Sequence, residues 1–379
     1  MLIKNGMIHT AVDPEPFEAD ILVENGKIAC IGNNLSAEGE SEVYDVKGHD
    51  VYPGFIDPHT HIGMFGYSGG PSKDDVEEYD RWTPQHRGID CIYPLEDTFV
   101  KAARAGVTCI CDGPGSVNCI AGTHLAMKTY GKRIDDMVVK DPVAMKIAFG
   151  ENPKKHLRDH ITTRMSIAAC IRDALYRAKD YKARKEAANG DITKMPAYDP
   201  KLEALIPVIE KKIPLKAHSH RCDDTFTAIR IAKELDCDLT LEHVTEGGLI
   251  ADELAKEGYP IAFGPYLYQA QKNENARKSA ADGVKLIRAG CKVSIMTDSP
   301  IVAEEYLPIL AGILMREGLT PYEALQTITI NAARHLRIED RVGSLEVGKD
   351  ADIIVADGNP LEMCVKPEMV FCSGKLFTE

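Results

Sequence analysis

No apolar run in the 379 residues approaches the roughly 18 that a helix needs to cross a bilayer, so no membrane span is expected. No low-complexity tract occurs. A phosphate-cradling loop is missing too: Gly113–His124 (GPGSVNCIAGTH) lacks the lysine and the following Ser/Thr of G-x-x-x-x-G-K-[ST]. Basic excess is absent. With 45 Lys+Arg against 58 Asp+Glu the net charge is −13, which argues against a nucleic-acid or anionic-membrane partner and reads as solubility. Eleven cysteines are present, but no pair is spaced C-x-x-C and the count is odd. In a chain this long the pattern describes buried thiols in a reducing cytoplasm, not a disulfide scaffold. Nothing marks Cys222 or Cys364 as reactive. The opening stretch MLIKNGMIHT reads as a polar-flanked strand and not as a signal peptide.

What remains is a globular composition, 44% hydrophobic and 27% charged, at a length that suits one large α/β unit. Both ends are β-rich. Asn5-Gly6, Asn25-Gly26 and Ser373-Gly374 are hairpin signals between short alternating strands, and GSLEVGKDADIIVAD supplies a further strand. The middle differs. Apolar strand candidates begin at Val107, Pro142, Pro214, Asp238, Pro260 and Lys292. Helical stretches lie between them at 95–105, 166–188, 201–211, 223–235, 249–256, 276–289 and 321–335. This alternation predicts parallel βα units. Residues 178–194 read as a charged, solvated helix and loop.

The polar residues of interest fall at the C-terminal ends of these strands, where βα barrels place their chemistry. In PGFIDPHTHIG, His59 and His61 are two apart, so on a strand both imidazoles face the same way. PLKAHSH offers His218, DLTLEHV offers His243 and KVSIMTD offers Asp298. A lone H-x-H means little. Four imidazoles and one carboxylate from four strand ends suit zinc or a similar divalent ion. His220 follows His218 by two and can face the same cavity as a metal or substrate group. Arg221 is read as pairing locally with Asp223 and Asp224 rather than with a substrate. His124 after the Val107 strand, the long Trp82–His86–Arg87 segment, and Tyr266 and Tyr268 after the Pro260 strand either line a pocket or pack.

With these motifs in hand, the sequence resembles the amidohydrolase superfamily along nearly its whole length. PGFIDPHTH resembles the first barrel strand, and GSLEVGKDADIIVAD resembles the return to a small β-sandwich. Among subgroups it looks closest to the imidazolonepropionase-related and prolidase-like members. It shares FGENPK, AHSHR-DD and EHVTEG segments with one group of them. The resemblance implies an α/β fold: a distorted (β/α)8 TIM barrel over residues 53–338, with a β-sandwich built from residues 1–52 and 339–379.

Residue by residue, the resemblance makes His59 and His61 the first metal pair. His218 and His243 become the histidines of the fifth and sixth strands, and Asp298 the aspartate of the eighth. Lys146, in AMKIAFGE, resembles the lysine that relatives carboxylate to bridge two metals, and Glu151 just after it competes for that role. One or two divalent ions are expected, zinc first, with an N-carboxylated Lys146. Asp298 is then the general base and a metal ligand, taking a proton from metal-activated water. The implied activity is hydrolysis of a carbon–nitrogen bond in a small molecule, a cyclic or peptide-like amide. Deamination of a heterocycle is the alternative, and a non-catalytic barrel relative a more distant one. A substrate's carboxylate would call for a basic group such as Arg221 or Arg164. Localisation is expected to be cytoplasmic, with a small-molecule substrate as partner, a homo-oligomer left open, and no nucleic acid or membrane among the partners.

Overall fold

Both ends of the chain run into one sheet. A computed structural model describes residues 1–36, 42–65, 73–156 and 161–378. The N-terminal strands are β1 (Leu2–Ile8), β2 (Phe17–Glu24), β3 (Lys27–Gly32), β4 (Val43–Asp45) and β5 (Asp50–Pro53). The C-terminal ones are β14 (Ile353–Ala356), β15 (Met369–Cys372) and β16 (Lys375–Leu376). They pair as β16-β15-β14-β5-β1-β2-β3, with β4 on β1, so β14 meets β5 directly. Alternating Ile3, Ile21, Val23, Ile28, Val51, Ile353, Val355 and Phe371 fill one apolar cluster. Asn25-Gly26 and Ser373-Gly374 form the expected turns, with left-handed φ of 51°, 76°, 49° and 74°. Asn5-Gly6 does not. Asn5 has φ 58° inside β1, where the register slips, and its backbone N–H reaches Asp20 at 2.9 Å. It is a bulge, not a hairpin turn.

The middle of the chain forms a second eight-stranded sheet in sequence order. Its strands are β6 (Phe55–Thr60), β7 (Val107–Asp112), β8 (Ile120–Lys128), β9 (Val138–Ala148), β10 (Leu215–Ser219), β11 (Leu239–His243), β12 (Ile261–Phe263) and β13 (Val293–Ile295). The sheet nearly closes into a barrel. Backbone bonds Asp298 N–H to His59 O (3.1 Å) and His61 N–H to Ser299 O (3.0 Å) join the end of β13 to β6. The distortion has a specific source. Strand β8, read from sequence as a possible pocket loop, runs antiparallel to both β7 and β9. Its glycine-containing start resembles a turn, yet all nine of its residues are buried.

Helices cover the outside. The expected single helix at 321–335 is two, Pro321–Thr327 and Ile330–Leu336, broken where Thr329 leaves helical geometry. Helix Leu307–Arg316 was not foreseen from the sequence. Among the described residues no helix is long and apolar enough to cross a membrane.

The two sheets are joined by charge. Lys128, at the end of β8, donates to Asp352 at 2.5 Å and lies 3.1 Å from Asp350, all three nearly inaccessible. Asp352 also accepts the Ser373 N–H at 2.8 Å. Removing one partner of such a pair leaves the other charge buried, which costs more than the pair contributes. Lys128→Ala, which strips the buried Asp352 of its cation, is therefore expected to lose about 3–5 kcal/mol of stability. Urea unfolding measures it, and a loss under about 1 kcal/mol, as for an exposed pair, would contradict this role.

Candidate metal centre

Strand register sets which side chains face the barrel axis. In the parallel trio β9-β10-β11, Lys146 sits beside Lys216, and His218 beside Glu242. These side chains share one face, and period-two alternation adds Thr240 to it. His243, one residue past Glu242, should point to the helices. Instead its φ is 69° and that of Val244 is 48°, and the left-handed turn swings the imidazole inward. Asp298 has φ 51° for the same purpose. Side chains held in sparsely populated backbone conformations are typical of functional sites.

Two groups of ligand atoms result, each within 4.8 Å: His59, His61 and Asp298, and His218, His220 and His243. They are contiguous, since the His59 and His243 rings are 5.4 Å apart and those of His218 and His243 4.3 Å. Asp298 Oδ1 is 3.6 Å from His59 Nε2 and 3.4 Å from His61 Nε2.

The imidazoles are oriented as metal ligands need. His59 Nδ1 lies 3.0 Å from Glu242, His61 Nδ1 2.7 Å from Gly113 O, and His243 Nδ1 2.9 Å from Gly264 O. An acceptor at Nδ1 places the proton there and leaves the Nε2 lone pair facing the cavity. The Nε2 atoms of His218 and His243 are buried without a hydrogen-bond partner among the described residues. Buried polar atoms are rarely left so, and a cation between them is the natural complement. His220 differs. Its Nε2 faces Lys272 at 3.3 Å and its Nδ1 faces Thr245 at 2.7 Å, so both ring nitrogens are engaged.

Electrostatics keep the candidate ligands unprotonated. Burial holds His59 and His218 well below the ordinary imidazole range and pushes His243 down to about 4. Burial alone would raise the Asp298 carboxyl; His243, His61 and Lys146 outweigh it and lower it. Lys146 is fully buried with its amine 2.9 Å from His59 Nε2. Burial, then Lys216, brings that amine down to about 8.

Beneath these ligands lies a layer that sequence reasoning missed. Besides His59, Glu242 accepts from Lys216 at 2.8 Å and from Thr240 at 2.9 Å, and it lies 3.0 Å from His335 Nε2. Burial alone would raise its carboxyl, but Lys216 and His335 hold it well below the carboxylate range. Lys216 also donates to Pro58 O at 2.8 Å. Parity could have exposed Lys216, two residues before His218 in PLKAHSH; Glu242 was masked by its neighbour His243. A second layer ties β6 to β13. Asp57 accepts from the His59 N–H, the Thr297 N–H and the Thr297 hydroxyl, at 2.9, 2.8 and 2.6 Å. Glu304 accepts from Thr60 at 2.7 Å.

Other expected residues fall elsewhere. Glu151 joins neither ligand group; it opens a short helix, and its backbone N–H donates to Glu274 at 2.8 Å. His124 is buried near His59, but its Nε2 meets Pro114 O at 2.9 Å. Arg221 pairs bidentately with Asp223 as expected, while Asp224 is taken by Arg164 at 2.9 Å. Trp82 is buried under Arg177 and Lys201. His86 and Arg87 line a separate cavity of about 300 Å³ with Asp75 and Cys91. Tyr266 donates to Leu310 O and packs.

Residues 51–376 match the amidohydrolase family. The chain belongs to that family. This amidohydrolase is 28% identical over 387 residues to "Amidohydrolase tasK" of Hapsidospora irregularis, a match covering 94% of the chain but 39% of that longer protein. It is 25% identical over 380 residues to an imidazolonepropionase of Geobacillus sp. (strain WCH70), covering 89% of the chain and 83% of the relative. A solved amidohydrolase from Thermotoga maritima MSB8 superposes with a TM-score of 0.96 at 35% identity, covering 100% of this chain and 99% of the other.

The Glu242 hold on His59 yields a prediction. Carboxylates behind metal-bound histidines typically contribute about 10–100-fold in metal affinity. Glu242→Gln keeps the shape but loses the charge. It is expected to weaken zinc binding by about 10–100-fold in competition with a chromogenic chelator. An unchanged affinity would show that His59 needs no anionic partner.

Proposed function

We propose that this amidohydrolase hydrolyses a cyclic or peptide-like amide of a small molecule. His59, His61, His218, His243 and Asp298 would hold a divalent metal at the candidate centre, and Lys146, once carboxylated, would add a ligand that two ions could share. The observation that carries the reading is the set of inward Nε2 lone pairs, two of them orphaned, around one buried amine. Imidazole nitrogens with a carboxylate favour zinc. A divalent ion bound there polarises the scissile carbonyl and acidifies water.

The chain's own residues do the rest. Asp298 is the general base: its carboxylate, kept ionised by His243, His61 and Lys146, takes a proton from attacking water and returns it to the leaving nitrogen. As an uncapped cation Lys146 would repel metal from both ligand groups, since its charge acts on His59, His218 and His243 alike. A depressed pKa favours the neutral amine, which adds to carbon dioxide. As the N–C bond forms, one C–O π bond of carbon dioxide breaks, the neutral amine gives up one proton, and the product is a carbamate anion with two ligand oxygens. Lys146 reaches the ligands and Glu151 does not, which favours the lysine for the bridging role. His220, engaged with Lys272, is assigned to the substrate side.

Chelation should abolish turnover and zinc should restore it. Asp298→Asn should stay folded and lose about 10²–10⁴-fold in kcat. Lys146→Ala should be inactive, hold less metal, and recover with short carboxylic acids that replace the carbamate. A panel of N-acyl amino acids, dipeptides, lactams and aminated heterocycles, followed by carboxylate and ammonia release, separates amide hydrolysis from deamination. Wild-type kcat in Asp298→Asn would remove that residue from the mechanism.

A further inference from the structure

The segment after β12, from Gly264 to Ser279, passes over the end of the barrel where the imidazoles gather. It carries a cation that no expectation anticipated. Lys272 Nζ lies 3.3 Å from His220 Nε2, and the His220 ring is 4.8 Å from that of His218 and 4.6 Å from that of His243. The ammonium is thus one imidazole away from the two orphaned nitrogens. It also donates to Asn152 Oδ1 at 2.8 Å, from the short helix Glu151–His156 that follows β9.

The basic residues considered from sequence are already spent. Arg221 is locked on Asp223, and Arg164 lies between Asp224 and Glu274 at 2.9 and 3.3 Å. Lys272 shares its one carboxylate with Arg164 and reaches the imidazoles as well. An ammonium has three donors. Two of them go to neutral acceptors, Asn152 and His220. Lys272 also forms an ion pair with Glu274 at 3.3 Å, but that one carboxylate is shared, its other oxygen serving Arg164 and the Glu151 N–H. The Lys272 side chain is 20% exposed, so a ligand can reach it. Lys278, on the same segment, stands 4.4 Å over the Tyr268 ring, and its charge also acts on His220. The charge of Asp298 is also felt at Tyr268.

We propose that Lys272, steadied by Asn152, is an anion subsite that binds a carboxylate on the substrate beside the scissile bond. The inference rests on the metal-centre reading above and narrows its substrate class. The substrates are acidic amides: N-acyl amino acids, peptides with a free C-terminus, or lactams bearing a carboxylate arm. A neutral aminated ring offers this ammonium nothing to bind.

The test uses two metal-seeking probes of similar size on the zinc-loaded protein. Succinic monohydroxamate carries a carboxylate tail and butyrohydroxamate a neutral one. Calorimetric titration should find the acidic probe bound about 10–100-fold more tightly, the range of one charge-assisted hydrogen bond. Lys272→Met should erase that preference with little change for the neutral probe, and Lys272→Arg should keep most of it. Equal binding of both probes by the wild type would overturn the subsite and leave the metal reading standing. A preference that survives in Lys272→Met would assign the anion to another group and also overturn it. If neither probe binds zinc-loaded protein, the metal reading fails and the subsite falls with it.

Discussion

An ionised carboxylate sealed inside the barrel fixes the rest of the site. Glu242 is inaccessible to solvent, and a lone buried carboxylate would take up a proton. Lys216 at 2.8 Å and His335 at 3.0 Å prevent that. The anion in turn fixes the His59 tautomer through Nδ1, so the Nε2 lone pair points at Lys146 and Asp298. The lysine that stabilises the glutamate also lowers the amine of the next strand's lysine. One member of this ion pair therefore sets the proton on His59, and the other adds to the burial that lowers the Lys146 amine.

Geometry depends on how the barrel closes. Strands β6 and β13 carry His59, His61 and Asp298, and Asp57 binds them together through three donors. Burial pushes Asp57 up to about 6, and burial with Asp57 nearby holds Glu304 well above its ordinary value. Thr297 has one hydroxyl proton between them, at 2.6 Å from Asp57 and 3.1 Å from Glu304. The pair is satisfied when it holds a shared proton, as closely placed carboxylates do. Sharing that proton, the pair carries one negative charge instead of two beside the turn that holds Asp298.

Much of this was legible in the sequence because it is periodic or local. H-x-H spacing, apolar strands ending in His218, His243 and Asp298, and turns at Asn25-Gly26 and Ser373-Gly374 all obey short-range rules. The rest depends on partners far apart in the chain. Strand β8 hid behind glycines because its identity comes from pairing on both sides, not from its own alternation. Asn5-Gly6 carried a turn signal, but Asp20 and Asp45 hold it as a bulge. Glu242 and His335 are 93 residues apart, and neither has a motif of its own. Lys272 lies in an irregular segment, and only its approach to His220 gives it a role.

The central claim is that the inward imidazole nitrogens form a metal centre. The most direct measurement is the metal content of wild-type protein and of a His218→Ala/His243→Ala variant, each loaded with zinc, passed through gel filtration and analysed by mass spectrometry of the element. The account predicts stoichiometric zinc in the wild type and its loss from a variant that still elutes as folded protein. A wild type that retains no zinc, or a variant that retains as much, would contradict it.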